Sequence, residues 1–332
     1  MKKIVKYLAY FVGLLVFGAA ALLLYVRMAL PNVPAEDLTI EYTEARIKRG
    51  EYLANSVTVC MDCHSERDWS KFSAPLTPGT LGKGGDRFDQ SMGFPGVFFA
   101  KNVTPTGISR YTDGELFRVI TSGVTKEGRA IFPIMPYPYY GKMDREDIYS
   151  IIAYLRTLKP ITNDVPDSEP EFPMNFILNT IPGPANPQPK PDKKDQLAYG
   201  AYLTNASACI ECHTNVDKGQ IIPELAFSGG RPFEFPDGSV LRSSNITPHE
   251  TGIGAMTEQE FIARFKMYAD SAYVPPSIPP GEFNTIMPWT MYGRMDREDL
   301  AAIYAYLRTV KPIENKVEKF TPAASPLSVV NK

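Results

Sequence analysis

The hydrophobic pattern begins with an unbroken run. Tyr7 to Val26 contains no charged residue and follows Lys2, Lys3 and Lys6. At about 1.5 Å per residue this run reaches about 30 Å, the thickness of a bilayer's hydrocarbon core. A buried core helix would show a polar face, and a secretory signal would have a shorter apolar stretch closing on small residues. Leu24, Tyr25, Val26 and Arg27 close this one. The expectation is an uncleaved single-pass anchor within residues 1–30. Three lysines before the run against one arginine after it place the N-terminus in the cytoplasm. The rest of the chain then lies on the periplasmic side of the cytoplasmic membrane.

Further along, the period changes to that of amphipathic helices. Ile148, Ile151, Ile152, Leu155 and Leu158 mark one buried stripe, and Leu300, Ile303, Leu307 and Val310 mark another. Asp144 and Asp296 stand where each helix begins, with Asp147 and Asp299 three residues on in the manner of a capping box. Helices are also expected through Gly50-x-Tyr52-Leu53 and Gly200-x-Tyr202-Leu203, near Asp113–Ser122, and over Thr257–Tyr268. Every element occurs twice because the chain repeats. GEYLANSVTVCMDCH (residues 50–64) answers GAYLTNASACIECH (200–213), and IMPYPYYGKMDREDIYSIIAYLRTLKP (134–160) answers IMPWTMYGRMDREDLAAIYAYLRTVKP (286–312). Two copies of one domain are expected at 40–160 and 196–315, joined by a linker at 161–195 and followed by a loose tail at 316–332. Residues 160–195 hold nine prolines, which favours an extended, semi-rigid segment. Phe172, Met174, Phe176, Ile177 and Leu178 interrupt it and are expected to pack against a domain.

Composition narrows the chemistry. The 332 residues carry 35 basic and 37 acidic side chains, so nothing electrostatic favours nucleic acid. Thirty prolines argue against a long parallel sheet or a continuous bundle. Only four cysteines and three histidines are present. All four cysteines fall in two Cys-x-x-Cys-His runs, Cys60-Met61-Asp62-Cys63-His64 and Cys209-Ile210-Glu211-Cys212-His213. This spacing reads as c-type haem attachment. Two thiols one turn apart each add to a vinyl group of one porphyrin, and the next residue carries an imidazole to the iron. Two covalently attached haem c groups are therefore expected. They would also fill the middle of domains whose short helices make too little core.

Other readings fit less well. Paired zinc cysteines usually lie about 15–20 residues apart and do not explain a histidine after each pair. A redox dithiol calls for a thioredoxin-like pattern that is absent, and a disulfide across two residues is strained. With His64 and His213 used, only His249 remains, so the sixth ligand falls to methionine. The repeat offers Met135 or Met143, and Met287 or Met295. Met135 and Met287 are preferred because each precedes a proline that holds the chain extended. Met143 and Met295 precede helix caps, where apolar residues staple the first turn. His249 reads as a loop residue. Asn102 and Asn245, each two residues before a Thr-Pro step, suit either a propionate contact or a turn.

These residues resemble the membrane-bound multihaem cytochrome c subunits of bacterial alcohol, gluconate and related sugar or aldehyde dehydrogenases. The resemblance covers most of residues 46–314 and rests on GAYLTNASACIECH, FSGGRPFEF, SSNITPHETGIG, IMPWTMYGRM and REDLAAIYAYLRTVKP, with KNVTPTGIS and IMPYPYYGKM in the first copy. It implies an all-α architecture of tandem class I cytochrome c domains, with Met135 and Met287 as distal ligands. That family typically carries three haem motifs and a C-terminal anchor, against two motifs and an N-terminal span here. The expected function is single-electron transfer from a dehydrogenase or quinol donor to another cytochrome or terminal oxidase, with no catalytic residue. The alternative is a dihaem cytochrome c peroxidase-like enzyme, which needs one iron that opens to peroxide.

Overall fold

The structure, a computed structural model, describes residues 2–323. Each copy is organised by a leading helix lying against a final helix. In the first copy these are Glu44–Tyr52 and Arg145–Thr157, and in the second Gln196–Ala206 and Arg297–Leu307. Glycine makes the crossing possible. A Cβ on Gly50 would stand 1.8 Å from the Ser150 carbonyl oxygen, and one on Gly200 would stand 1.9 Å from that of Ala302. Backbone cannot yield as a side-chain tip can, so the helices would have to separate. Gly200→Ala should therefore cost at least the ~1–3 kcal/mol usual for overpacking. A denaturant melt reads this directly, and Gly13→Ala, with open space at its Cβ, is the control.

The middle helices Asp113–Ser122 and Glu258–Lys266 each open on a complete capping box, Thr112 with Glu115 and Thr257 with Glu260. The final helices do not. Asp144 caps Glu146 N–H alone, Asp296 makes no side-chain cap, and Asp147 and Asp299 turn elsewhere. Leu53, Val57, Ile148 and Ile152 fill the first copy, and Tyr199, Leu203, Leu300 and Leu307 the second. The two sets belong to one continuous core.

The all-α expectation is wrong: about 40% of the described residues are helical, and three small antiparallel sheets accompany them. Arg87–Phe88, Gly96–Phe99 and Glu169–Pro170 form one sheet, and Pro232–Glu234, Val240–Arg242 and Phe320–Thr321 form its counterpart. A ribbon Val216–Asp217 with Gln220–Ile221 is the third. These strands grow from the long Gly/Pro-rich stretches after each cysteine motif. Gly93 turns the first ribbon in the left-handed region (φ 81°), and Phe98 and Leu241 are buried. In each copy the chain after the final helix returns to supply the third strand. Residues 320–321 thus pair within a sheet, and positions 324–332 of the expected tail lie outside the described residues.

The returning chain explains both asparagines. Asn102 Nδ2 donates to Ile161 O (2.8 Å), and its Oδ1 accepts from the Thr104 N–H and hydroxyl; Asn245 repeats this with Ile313 and Thr247. Both amides are fully used as turn builders. Within the proline-rich segment Leu178 is buried, whereas Phe172, Ile177 and Ile181 remain exposed. The N-terminal helix Lys2–Ala29 has no buried residue, is long and apolar enough to cross a membrane, and packs beside Met174–Thr180.

Candidate cofactor site

In both copies the residue before the first cysteine is held in the left-handed region: Val59 at φ 44° and Ala208 at φ 48°. For a residue with a side chain this costs about 1–3 kcal/mol, and such strain collects at functional sites. It ends the leading helix and starts a separate turn, Cys60–Cys63 or Cys209–Cys212. All four thiols are free. Burial raises the pKa of every one, that of Cys209 to about 12 and that of Cys212 to about 11. Zinc-binding or redox-active cysteines need the opposite shift. Nor do three His, Cys, Asp or Glu side chains converge as a metal cage among the described residues.

Each histidine is oriented by a backbone carbonyl. His64 Nδ1 lies 2.6 Å from Lys101 O, and His213 Nδ1 lies 2.7 Å from Ser244 O. A carbonyl only accepts, so Nδ1 carries the proton and Nε2 keeps its lone pair. Burial lowers both imidazole pKa values, with the backbone hydrogen bond partly opposing. The neutral ring is the form that binds metal.

Cys60, Cys63 and His64 line a cavity of about 2540 Å³, and Met135 lines it too. This is well above the ~300–1,000 Å³ of a pocket for a drug-sized ligand. Both cysteines and His64 are hemmed in by protein yet keep accessible surface, as groups facing a cavity do. Met143 and Met295 are sealed in the core at 0% and 1% exposure. Arg67 also lines the cavity; it pairs with Asp62 at 3.0 Å, lies over the Trp69 ring, and keeps one guanidinium nitrogen without a partner. A large apolar plate carrying acidic groups suits this wall, so the residues fit haem. In the second copy Cys212 lines the same cavity, while Cys209, His213 and Met287 lie outside its walls. His249 sits in a polar loop with Nδ1 2.9 Å from Thr251 Oγ1.

Sequence reasoning missed the seam that fixes one copy against the other. Tyr52 OH donates to Asp299 Oδ2 (2.8 Å) and accepts from Asp296 N–H; Tyr202 OH donates to Asp147 Oδ2 (2.7 Å) and accepts from Asp144 N–H. Arg49 and Lys190 also hold Asp147, and Tyr199 and Lys193 hold Asp299. The one signal available was that Tyr52 and Tyr202 occupy the same place in the repeat. Ser73 of the first copy donates from Oγ to the Met287 carbonyl at 2.6 Å, fixing the backbone of a candidate ligand in the second.

Burial pulls the Asp147 pKa up, but the Arg49 guanidinium, the Tyr202 hydroxyl and the Lys190 charge outweigh it and hold the carboxyl below its usual range. The ionised, paired form is thus native, and its stabilising contribution is complete above the unfolded carboxylate pKa of about 4. It is lost as pH falls through the lower folded value. Removing one partner of a buried pair typically costs about 3–5 kcal/mol. Asp147→Ala should lose stability on that scale in urea melts at pH 7, with a smaller deficit at pH 3.

These features suit c-type haem attachment, and comparison with known proteins points the same way. Residues 197–311 match the cytochrome c family and form a cytochrome c domain, the kind that holds covalently bound haem c. The chain is 26% identical over 328 residues to the cytochrome c subunit of the quinone-type alcohol dehydrogenase of Gluconacetobacter polyoxogenes, covering 92% of this chain and 63% of that protein. It is 28% identical to the fructose dehydrogenase cytochrome subunit of Gluconobacter japonicus, covering 88% of this chain and 59% of that one. A dihaem cytochrome c-type protein of Cereibacter sphaeroides is 26% identical, with coverage of 77% and 83%. The chain is homologous to cytochrome c subunits of dehydrogenases and spans less than two thirds of the length of the first two relatives.

Proposed function

We propose that the protein is a membrane-anchored dihaem c-type cytochrome that moves single electrons from a dehydrogenase or quinol to a downstream cytochrome or oxidase. In this reading Cys60 with Cys63, and Cys209 with Cys212, supply the thioether links. His64 and His213 are the proximal ligands, and Met135 and Met287 the distal ones. The observation that carries the reading is the single cavity lined by Cys60, Cys63, His64 and Met135, with Cys212 of the other motif lining it too. The core burial of Met143 and Met295 supports the choice of methionines, and the dihaem relative supports the number.

Haem c held between imidazole and thioether supplies one-electron chemistry without an open coordination position. The chain's own part is positional. Lys101 O and Ser244 O hold the imidazoles in one tautomer, and the Tyr–Asp seam keeps the two motifs in fixed register. The helix Lys2–Ala29 spans the cytoplasmic membrane in this reading, with both copies on the periplasmic side. It thereby raises the concentration of the sites near membrane partners.

A potentiometric titration of the purified protein tests the reading. Two one-electron steps are expected, with no carbon monoxide binding to the reduced native protein. Carbon monoxide uptake at one centre without denaturant would contradict it and indicate a peroxidase-like enzyme.

A further inference from the structure

The apolar residues left exposed outside the N-terminal helix are mostly scattered, but three fall within ten positions of one another in the proline-rich segment. Phe172 is 78% exposed, Ile177 43% and Ile181 40%, with Phe172 edge-on to Phe176 at 6.3 Å. Leu178, between them, is buried and ties the segment to the body of the protein. Isolated exposed side chains need no explanation, whereas a contiguous group does.

Its position says what covers it. Residues Met174–Ile177 and Leu178–Thr180 pack against the N-terminal helix, the element long and apolar enough to cross a membrane. Arg27, Met28 and Pro31 at the end of that helix line the same cavity as Met174, Leu178, His64 and Met135. The exposed group therefore lies on a segment that packs beside the N-terminal helix, near where that helix ends.

We propose that residues 172–181 form a second membrane contact, with Phe172, Ile177 and Ile181 inserted at the boundary between lipid headgroups and acyl chains. The inference rests on the reading of residues 2–29 as an anchor. One helix alone leaves a domain free to tilt and swivel, but two contacts fix its orientation. The first copy then stands nearest the bilayer, with the His64 cavity facing the membrane surface. The contact is apolar rather than electrostatic: Glu169 and Glu171 flank it, and Arg27 is the basic residue at the helix end. Salt should therefore leave it in place, since screening acts on charge and not on apolar burial.

Nitroxide labelling of the full chain in phosphatidylcholine vesicles tests this. Phe172→Cys and Ile177→Cys carry the label, and Val274→Cys, at a 79% exposed site in the second copy, is the aqueous control. The expected result is a several-fold higher ratio of oxygen to nickel-chelate accessibility at 172 and 177 than at 274, unchanged by 0.5 M salt (roughly a 4–5 Å Debye length). Equal ratios at all three positions in vesicle-bound protein would overturn the inference and leave the anchor reading intact. Protein that does not stay with the vesicles would overturn both.

Discussion

Cys209→Ala combined with Cys212→Ala should halve the haem content of the purified protein, Cys60→Ala with Cys63→Ala should likewise halve it, and all four together should abolish it. The reason is chemical as well as structural. Each thiol pair is the point of covalent attachment in the proposed reading, and the four are the chain's only cysteines. The effect should extend to folding, because Cys60 and Cys209 pack against the core at the end of each leading helix. Helices of nine to thirteen residues around a cavity of about 2540 Å³ leave much apolar lining without a partner. An empty copy should then open at lower denaturant than a filled one. A haem-to-protein ratio that stays unchanged in either double variant would show that the motif is not the attachment point.

Replacing Met135 with Ala should remove about half of the sulfur-to-ferric-iron charge-transfer band and let carbon monoxide bind one centre. The reduction potential of that centre should fall, since a methionine axial ligand raises it. Met287→Ala should do the same to the other half. Met143→Ala offers the contrast. Met143 is fully enclosed in the core, so its loss should cost about 2–5 kcal/mol of stability through the cavity it leaves. The band should survive. The opposite pattern, a lost band in Met143→Ala and an intact one in Met135→Ala, would move the distal ligand to the core position.

What the chain reveals unaided depends on how local the physics is. The capping boxes at Thr112 and Thr257 are settled within four residues, yet the sequence reading places the boxes at Asp144 and Asp296 instead. The stripe through Ile148, Ile151 and Ile152 is likewise local, since 3.6-residue periodicity survives any tertiary context. The strands escaped because they are two to four residues long, too short to show alternation, and their third members come from segments that read as linker and tail. Asp147 and Asp299 misled for a related reason. Their spacing from Asp144 and Asp296 fits a capping box, but Tyr202 and Tyr52 from the other copy hydrogen-bond those carboxylates, Tyr52 from 247 residues away. Gly50 and Gly200 were visible as repeated glycines. That each lets one helix touch the backbone of another needed the structure.

The candidate site divides the same way. The two Cys-x-x-Cys-His runs are contiguous, so the motif itself is legible in the chain. Ser73 and Arg67 are not foreshadowed, because each matters only through what the fold brings beside it: the Met287 carbonyl for one, and Asp62 and the cavity for the other.

The most direct test of the account is to denature the purified protein in acidified organic solvent and measure haem in both phases against polypeptide mass. Two haems per chain should stay with the protein, with a mass increment to match on tryptic peptides containing Cys60–His64 and Cys209–His213. Pigment that partitions into the solvent, or a colourless protein, would contradict the account.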